Sequence, residues 1–161
     1  MSDDGILVRA ARAADLDAVL AIEQSSFADP WGRDSFEYAV ELDRMLFLVA
    51  VEDSTTALGQ AAAGGGQLLG YVVVLLLLDE AEVADIAVAP EARGRRVGGR
   101  LLDRATEEAY ARGVRTLYLE VRESNVPARA LYDSRSFAHV GRRRGYYHHP
   151  DEDALLMRRD L

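Results

Sequence analysis

Apolar and polar residues change rhythm repeatedly along this 161-residue chain, and each rhythm predicts an element. Ile6 to Arg9 alternates with a period of two, as a first strand would. Leu16, Val19, Leu20 and Phe27 recur at helical spacing, with Asp15 placed for the helix N-terminus. The segment "DPWGRDSFEYAVEL" opens with a turn and continues as a shorter helix. "MLFLVAVE" at 45–52 and "LLGYVVVLLLL" read as strands. The latter is far shorter than the roughly 20 apolar residues of a membrane span. Between them "DSTTALGQAAAGGGQ", rich in Gly and Ala, reads as a mobile hairpin loop. "AEVADIAVAP" is a further strand, stopped by Pro90.

Helical spacing returns at Val97, Leu101, Leu102, Ala105 and Ala109 and ends at the C-capping Gly113. "RTLYLEVR" at 115–122 alternates as a strand. "SNVPARALYDSRSF" is a short helix, with Asn125 as N-cap and Pro127 in the first turn. Two last strands fall around 137–144 and 153–159. The order β-α-α-β-β-β-α-β-α-β-β, with neither repeat nor linker, predicts a single α/β domain over residues 1–161 built on a mixed sheet.

Composition narrows the chemistry. The chain has no cysteine, which removes disulfides, thiolate nucleophiles and cysteine metal sites. Its three histidines are poorly spaced for a metal, so none is expected. All 19 basic residues are arginine, and the net charge is −8. Such an acid excess repels a phosphate backbone, and "GRRRGYY" is too short a patch to reverse it, so nucleic acid is not an expected partner. "MSDDGILVRA" lacks the apolar segment of a signal peptide, and the expected location is cytoplasmic, away from membranes.

"PEARGRRVGGRLLDRA" carries the first candidate site. A helix N-terminus leaves backbone N–H groups unpaired and bears partial positive charge, which suits a pyrophosphate. Small residues let that group approach the backbone, and Gly94, Gly98 and Gly99 supply them. The alternative is an arginine-rich helix start facing solvent. Glu120 interrupts the apolar strand "LYLEV", where a carboxylate is costly without a task or a partner. The alternative there is a salt bridge to Arg122 or Arg115.

The element order and four motifs resemble the GNAT superfamily of acetyl-CoA-dependent N-acetyltransferases. Within it the chain is similar to the RimI-like branch, the ribosomal-protein-alanine and protein N-terminal acetyltransferases. The motifs are "IEQSSFADPW", "DEAEVADIAVAPEARGRRVGGRLL", "LYLEVRESNVPARALYDSRSF" and "RRRGYYHHPDEDALLM", and together they span nearly the whole chain. The chain departs from the family's Gln/Arg-x-x-Gly-x-Gly/Ala loop at Arg96, which stands on the first glycine, and Ser136 replaces a second usual glycine.

The resemblance implies a mixed, mostly antiparallel sheet opened between two adjacent strands and flanked by about four helices. It implies acetyl-CoA held by the backbone of Ile86, Ala87 and Val88, by the loop Arg93, Gly94, Arg95, Arg96, Val97, Gly98 and Gly99, and by Asn125. It makes Glu120 the general base and Tyr132 the general acid, with Trp31, Tyr146 and Tyr147 as walls of the acceptor pocket. Asn125 as a cap, Tyr132 as helix packing and Trp31 as core are the plainer readings of those three.

The implied reaction carries acetyl to the N-terminal α-amine of a protein, with a ribosomal protein among the candidates, by direct attack in a ternary complex. Acetylation of a small amine or a lysine side chain, and non-catalytic acyl-CoA binding, are the alternatives. The enzyme is expected to be a monomer or a weak homodimer.

Overall fold

A computed structural model describes residues 5–53 and 66–161, so most of the expected mobile loop lies outside the described residues. The elements follow as β1 (Ile6–Ala10), α1 (Leu16–Ser26), α2 (Arg33–Glu41), β2 (Met45–Glu52), β3 (Leu68–Leu77), β4 (Glu80–Val88), α3 (Val97–Ala111), β5 (Thr116–Arg122), α4 (Val126–Ser134), β6 (Ala138–Tyr147) and β7 (Glu152–Asp160). That is the order the hydrophobic rhythm predicts. The strands form one sheet in the order β1-β2-β3-β4-β5-β7-β6. Every neighbouring pair is antiparallel except β4 with β5.

Two helical layers explain the unbroken apolar runs of β2 and β3, since strands covered on both faces lose their polar alternation. On one face α3 contributes Val97, Leu101, Leu102, Ala105 and Ala109, all buried. On the other, α1 and α2 bury Leu16, Val19 and Phe36, and the Phe36 ring meets Tyr71 edge-on at 5.6 Å. Gly70 of β3 lets α3 pack closely, because a Cβ there would lie 3.2 Å from both Val97 and Leu101 and 2.8 Å from the Ala87 carbonyl oxygen of β4.

Two local expectations are corrected. The helical stripe of α1 stops at Ser26; Phe27 is its extended C-cap and is 38% exposed. The seventh position after Leu16 belongs instead to a buried carboxylate, Glu23. The sixth strand runs on from 144 to Tyr147, carrying both tyrosines of the hairpin.

The loop before α3 turns at Gly94 (φ 83°), and Arg96, the residue in place of a glycine, takes the left-handed conformation as the α3 N-cap (φ 63°, ψ 23°). Ser136 does the same after α4 (φ 67°). A side chain in that region costs about 1 kcal/mol, because Cβ crowds the following carbonyl. Arg96→Gly therefore relieves strain, although the freer unfolded chain offsets part of the gain. We expect about 0.5–1 kcal/mol of added stability, a melting shift of roughly 1–4 °C upward. A melting temperature that falls or stays level in thermal denaturation contradicts this.

Candidate active site

The parallel ladder between β4 and β5 runs from Glu80 opposite Thr116 to Val83 opposite Leu119 and stops. Both strands continue, β4 against β3 as far as Val88 and β5 against β7 as far as Arg122. The cause lies in β4. Val83 faces Val74 and Asp85 faces Val73, so Ala84 is an extra residue, a bulge. Bulges bend a strand and sharpen its twist, which carries the far half of β4 away from β5. The parted edges leave backbone groups without a strand partner. Ala89 donates to Leu69 O (2.8 Å), so by the two-residue alternation the Val88 N–H points the other way, into the parting.

The start of α3 lies beside that edge. A Cβ on Gly98 would stand 3.6 Å from Val88 and 3.3 Å from Leu131 of α4, so three elements converge on this glycine. The Arg100 N–H donates to Arg96 O (3.1 Å) in the first turn. The N–H groups of Val97, Gly98 and Gly99 come before that bond and have no acceptor within the helix. The Arg135 guanidinium covers Gly99, so a side chain there would have to displace that flexible end. Arg95 turns its guanidinium back onto the Glu52 carboxylate and offers the site only its backbone. Arg93, Gly94 and Arg96 are exposed at the loop's outer side.

Glu120 is the first β5 residue beyond the last β4 pair. Its side chain is 12% exposed, and Oε1 forms an ion pair with Arg143 Nε at 2.8 Å. The expected alternative partners are both engaged elsewhere: Arg122 with Glu152 and the carbonyls of His148 and Pro150, Arg115 with the carbonyls of Tyr110 and Val114. The other oxygen, Oε2, is buried with no hydrogen-bond partner. Glu120 lines a cavity of about 420 Å³ together with Glu82, Tyr118, Arg143, Tyr146 and Leu156 among others.

Tyr132 of α4 is 5% exposed and packs edge-on against Phe137 at 5.8 Å. Burial, then nearby Tyr147 and Asp85, raise its phenol well above the ordinary range, so it keeps its proton. Burial and then Glu120 push Tyr147 up to about 12, and the same two causes raise Tyr146. Glu120, Tyr132, Tyr146 and Tyr147 thus gather where the sheet opens. Trp31 does not join them. It stacks on Phe36 (5.4 Å) and lines a separate cavity of about 380 Å³ with Asp34, Ser35, Tyr38 and Met45. Asn125 spends its side-chain oxygen on the Ala128 N–H as the α4 cap (3.2 Å).

Comparison with known proteins gives the same picture. The sequence model of the "Acetyltransferase (GNAT) family" matches residues 16–137. A Salmonella typhimurium protein named [ribosomal protein bS18]-alanine N-acetyltransferase is 37% identical over 145 residues, covering 89% of either chain. The crystal structure of the Escherichia coli ribosomal-protein-S18-alanine N-acetyltransferase superposes with a TM-score of 0.81 at 32% identity, over 97% of this chain and 94% of that one. Arabidopsis thaliana NAA60 in complex with acetyl-CoA shares the fold at 20% identity, with a TM-score of 0.84 over 97% and 98% of the two chains.

A buried acid cluster beside the opening was not foreseen. Glu23 accepts from the Tyr71 hydroxyl and from the Trp31 N–H (3.1 Å). Asp85, 8% exposed, completes the group, and the bulge places it on the same sheet face as Glu82 and Tyr71. The argument that singles out Glu120, a carboxylate inside an apolar strand, applies equally to Asp85 in "VADIAV" and to Glu23 in the α1 stripe.

Burial and hydrogen bonding to Glu23 push Asp85 up to about 9, against a lowering contact from the Ile86 N–H. Its unfolded value is near 4, so between pH 4 and 9 the folded state binds the extra proton and stability falls as pH rises. Asp85→Asn keeps a neutral donor and removes this loss. Urea titrations should show the variant gaining on the parent progressively from pH 5 to 9. Equal pH slopes for the two proteins contradict the assignment.

Proposed function

Because the chain belongs to the acetyltransferase (GNAT) family, we propose that it transfers the acetyl group of acetyl-CoA to the α-amine of a protein N-terminus. The relatives' shared specificity supports the N-terminal alanine of ribosomal protein bS18 as acceptor, and with it a cytoplasmic site of action. Among the described residues no helix is long and apolar enough to cross a membrane.

The observation that carries this reading is Glu120 at the point where β4 and β5 part, a carboxylate on the wall of a cavity of about 420 Å³. The backbone of Ile86, Ala87 and Val88 fits the acyl-pantetheine arm, which would extend the β4 edge as a strand does. The free N–H groups of Val97, Gly98 and Gly99 fit the pyrophosphate. Arg93, Gly94, Arg95 and Arg96 contribute the turn that brings them there, whatever the direction of their side chains. Asn125 acts by capping α4 and so fixing Tyr132.

Glu120 takes a proton from the acceptor ammonium, directly or through a water; with an α-amine pKa near 8 this asks little of a carboxylate. The neutral nitrogen attacks the thioester carbon, a C–N bond forms, and the Val88 N–H meets the negative charge growing on the carbonyl oxygen. As the C–S bond breaks, Tyr132 gives its proton to the departing sulfur, and the attacking nitrogen loses its second proton through water, which restores the phenol. Tyr146 and Tyr147 wall the acceptor side. With no cysteine in the chain, a thiol-bound acyl-enzyme has no residue to form on, and attack is direct.

Incubation with acetyl-CoA and a panel of peptides tests the reading. Alanine-first peptides should be acetylated at the α-amine; binding without turnover, or transfer only to lysine side chains or small amines, overturns it. Glu120→Gln and Tyr132→Phe should each lower kcat by roughly 10²–10⁴-fold with acetyl-CoA affinity retained, since that is the usual worth of a positioned acid or base. Unchanged kcat in both contradicts the roles assigned.

A further inference from the structure

We infer that Arg143 is a positioning residue for the transfer step, acting through Glu120; this rests on the reading of Glu120 as the base. Arg143 lies on β6, outside every motif position credited with a role above, and its side chain is 58% exposed while that of its partner is 12% exposed. The pair contributes little to folding, because an ion pair with one member so open to water is largely screened. Its value is geometric.

A glutamate carboxylate has two equivalent oxygens on a freely turning end group. Arg143 Nε pairs with Oε1 at 2.8 Å, which stops the carboxylate from turning. Oε2 is thereby kept facing inward, buried and without a hydrogen-bond partner. The strand registers fix the approach: Glu120 stands opposite Leu156 of β7, and Arg143 stands opposite Ala154, so both reach onto the face that carries Glu82 and the cavity. Tyr146 steadies the arginine, whose Cζ lies 5.7 Å from the centre of its ring. Neighbouring Arg142 cannot substitute, since Glu123 and Asp153 engage its guanidinium at 2.7–2.9 Å. A base whose carboxylate cannot turn meets the substrate in one orientation, which is the preorganisation a near-attack geometry requires.

The test combines steady-state kinetics with chemical rescue on the full chain, using acetyl-CoA and an alanine-first peptide. Arg143→Ala should lower kcat about tenfold or more while leaving KM for acetyl-CoA and the melting temperature close to the parent values. Added ethylguanidinium, able to enter from solvent because the side chain it replaces is exposed, should restore kcat in a saturable way. Arg143→Lys should retain part of the rate. In the Glu120→Gln background, Arg143→Ala should cost nothing further, since it acts through that carboxylate. Parental kcat in Arg143→Ala alongside an inactive Glu120→Gln overturns this inference and leaves the base assignment standing. A fully active Glu120→Gln overturns both. A loss in Arg143→Ala that ethylguanidinium does not repair, or that adds fully to the Glu120→Gln loss, overturns the positioning role alone.

Discussion

One extra residue in a ladder organises this molecule. With Ala84 bulged, β4 keeps its full antiparallel pairing to β3 while its far half leaves β5 after Val83. Everything placed at the opening follows from that geometry. Val88 presents its N–H to an edge with no strand on it, Glu120 becomes the first β5 residue past the ladder, and α4 is free to bring Tyr132 alongside. A sheet that stayed paired to Val88 would bury the same side chains and have no room for a substrate. The two-sided apolar cover of β2 and β3 supplies the rigidity against which the opening is held.

The charged groups around it divide by burial. Glu23 and Asp85 lie below the surface, where burial raises Asp85 so that it carries a proton, and Glu23 accepts from Tyr71 between α1 and the sheet. Glu120 and Arg143 lie at the mouth, reachable from the cavity. Glu82 stands between, raised by its own burial and by Glu120 and lowered by Arg143. The Glu120–Arg143 ion pair and the protonated phenol of Tyr132 belong to one cluster.

Much of this could be read from residue order. The helical period of α3, the alternation of β5 and the unbroken apolar runs of β2 and β3 are clear because each packs against a continuous layer, so the element order was legible. The motif resemblance supplied the opened sheet, which no local period encodes. The bulge at Ala84 was not locatable, since a period-two pattern in "EVADIAV" looks regular whether or not one residue is extra. Arg143 was hidden for a related reason: β6 is exposed along nearly its whole length, so three consecutive arginines give no hint which one turns inward. Trp31 was misplaced because an aromatic in a turn is equally suited to a pocket wall or to packing on Phe36. Arg96 shows the opposite case, where the departure from a glycine pattern correctly marks a left-handed backbone that the arginine adopts at some cost.

The central claim is that the acetyl donor lies along the parted β4 edge and the first turn of α3. Amide hydrogen exchange with and without acetyl-CoA reads this directly, since backbone groups that gain acceptors exchange more slowly. Slowing at Val88 and at Val97, Gly98 and Gly99, with the paired amides of β2 little changed, is the predicted result. Binding of acetyl-CoA that leaves those four amides as fast as in the free protein would contradict the account.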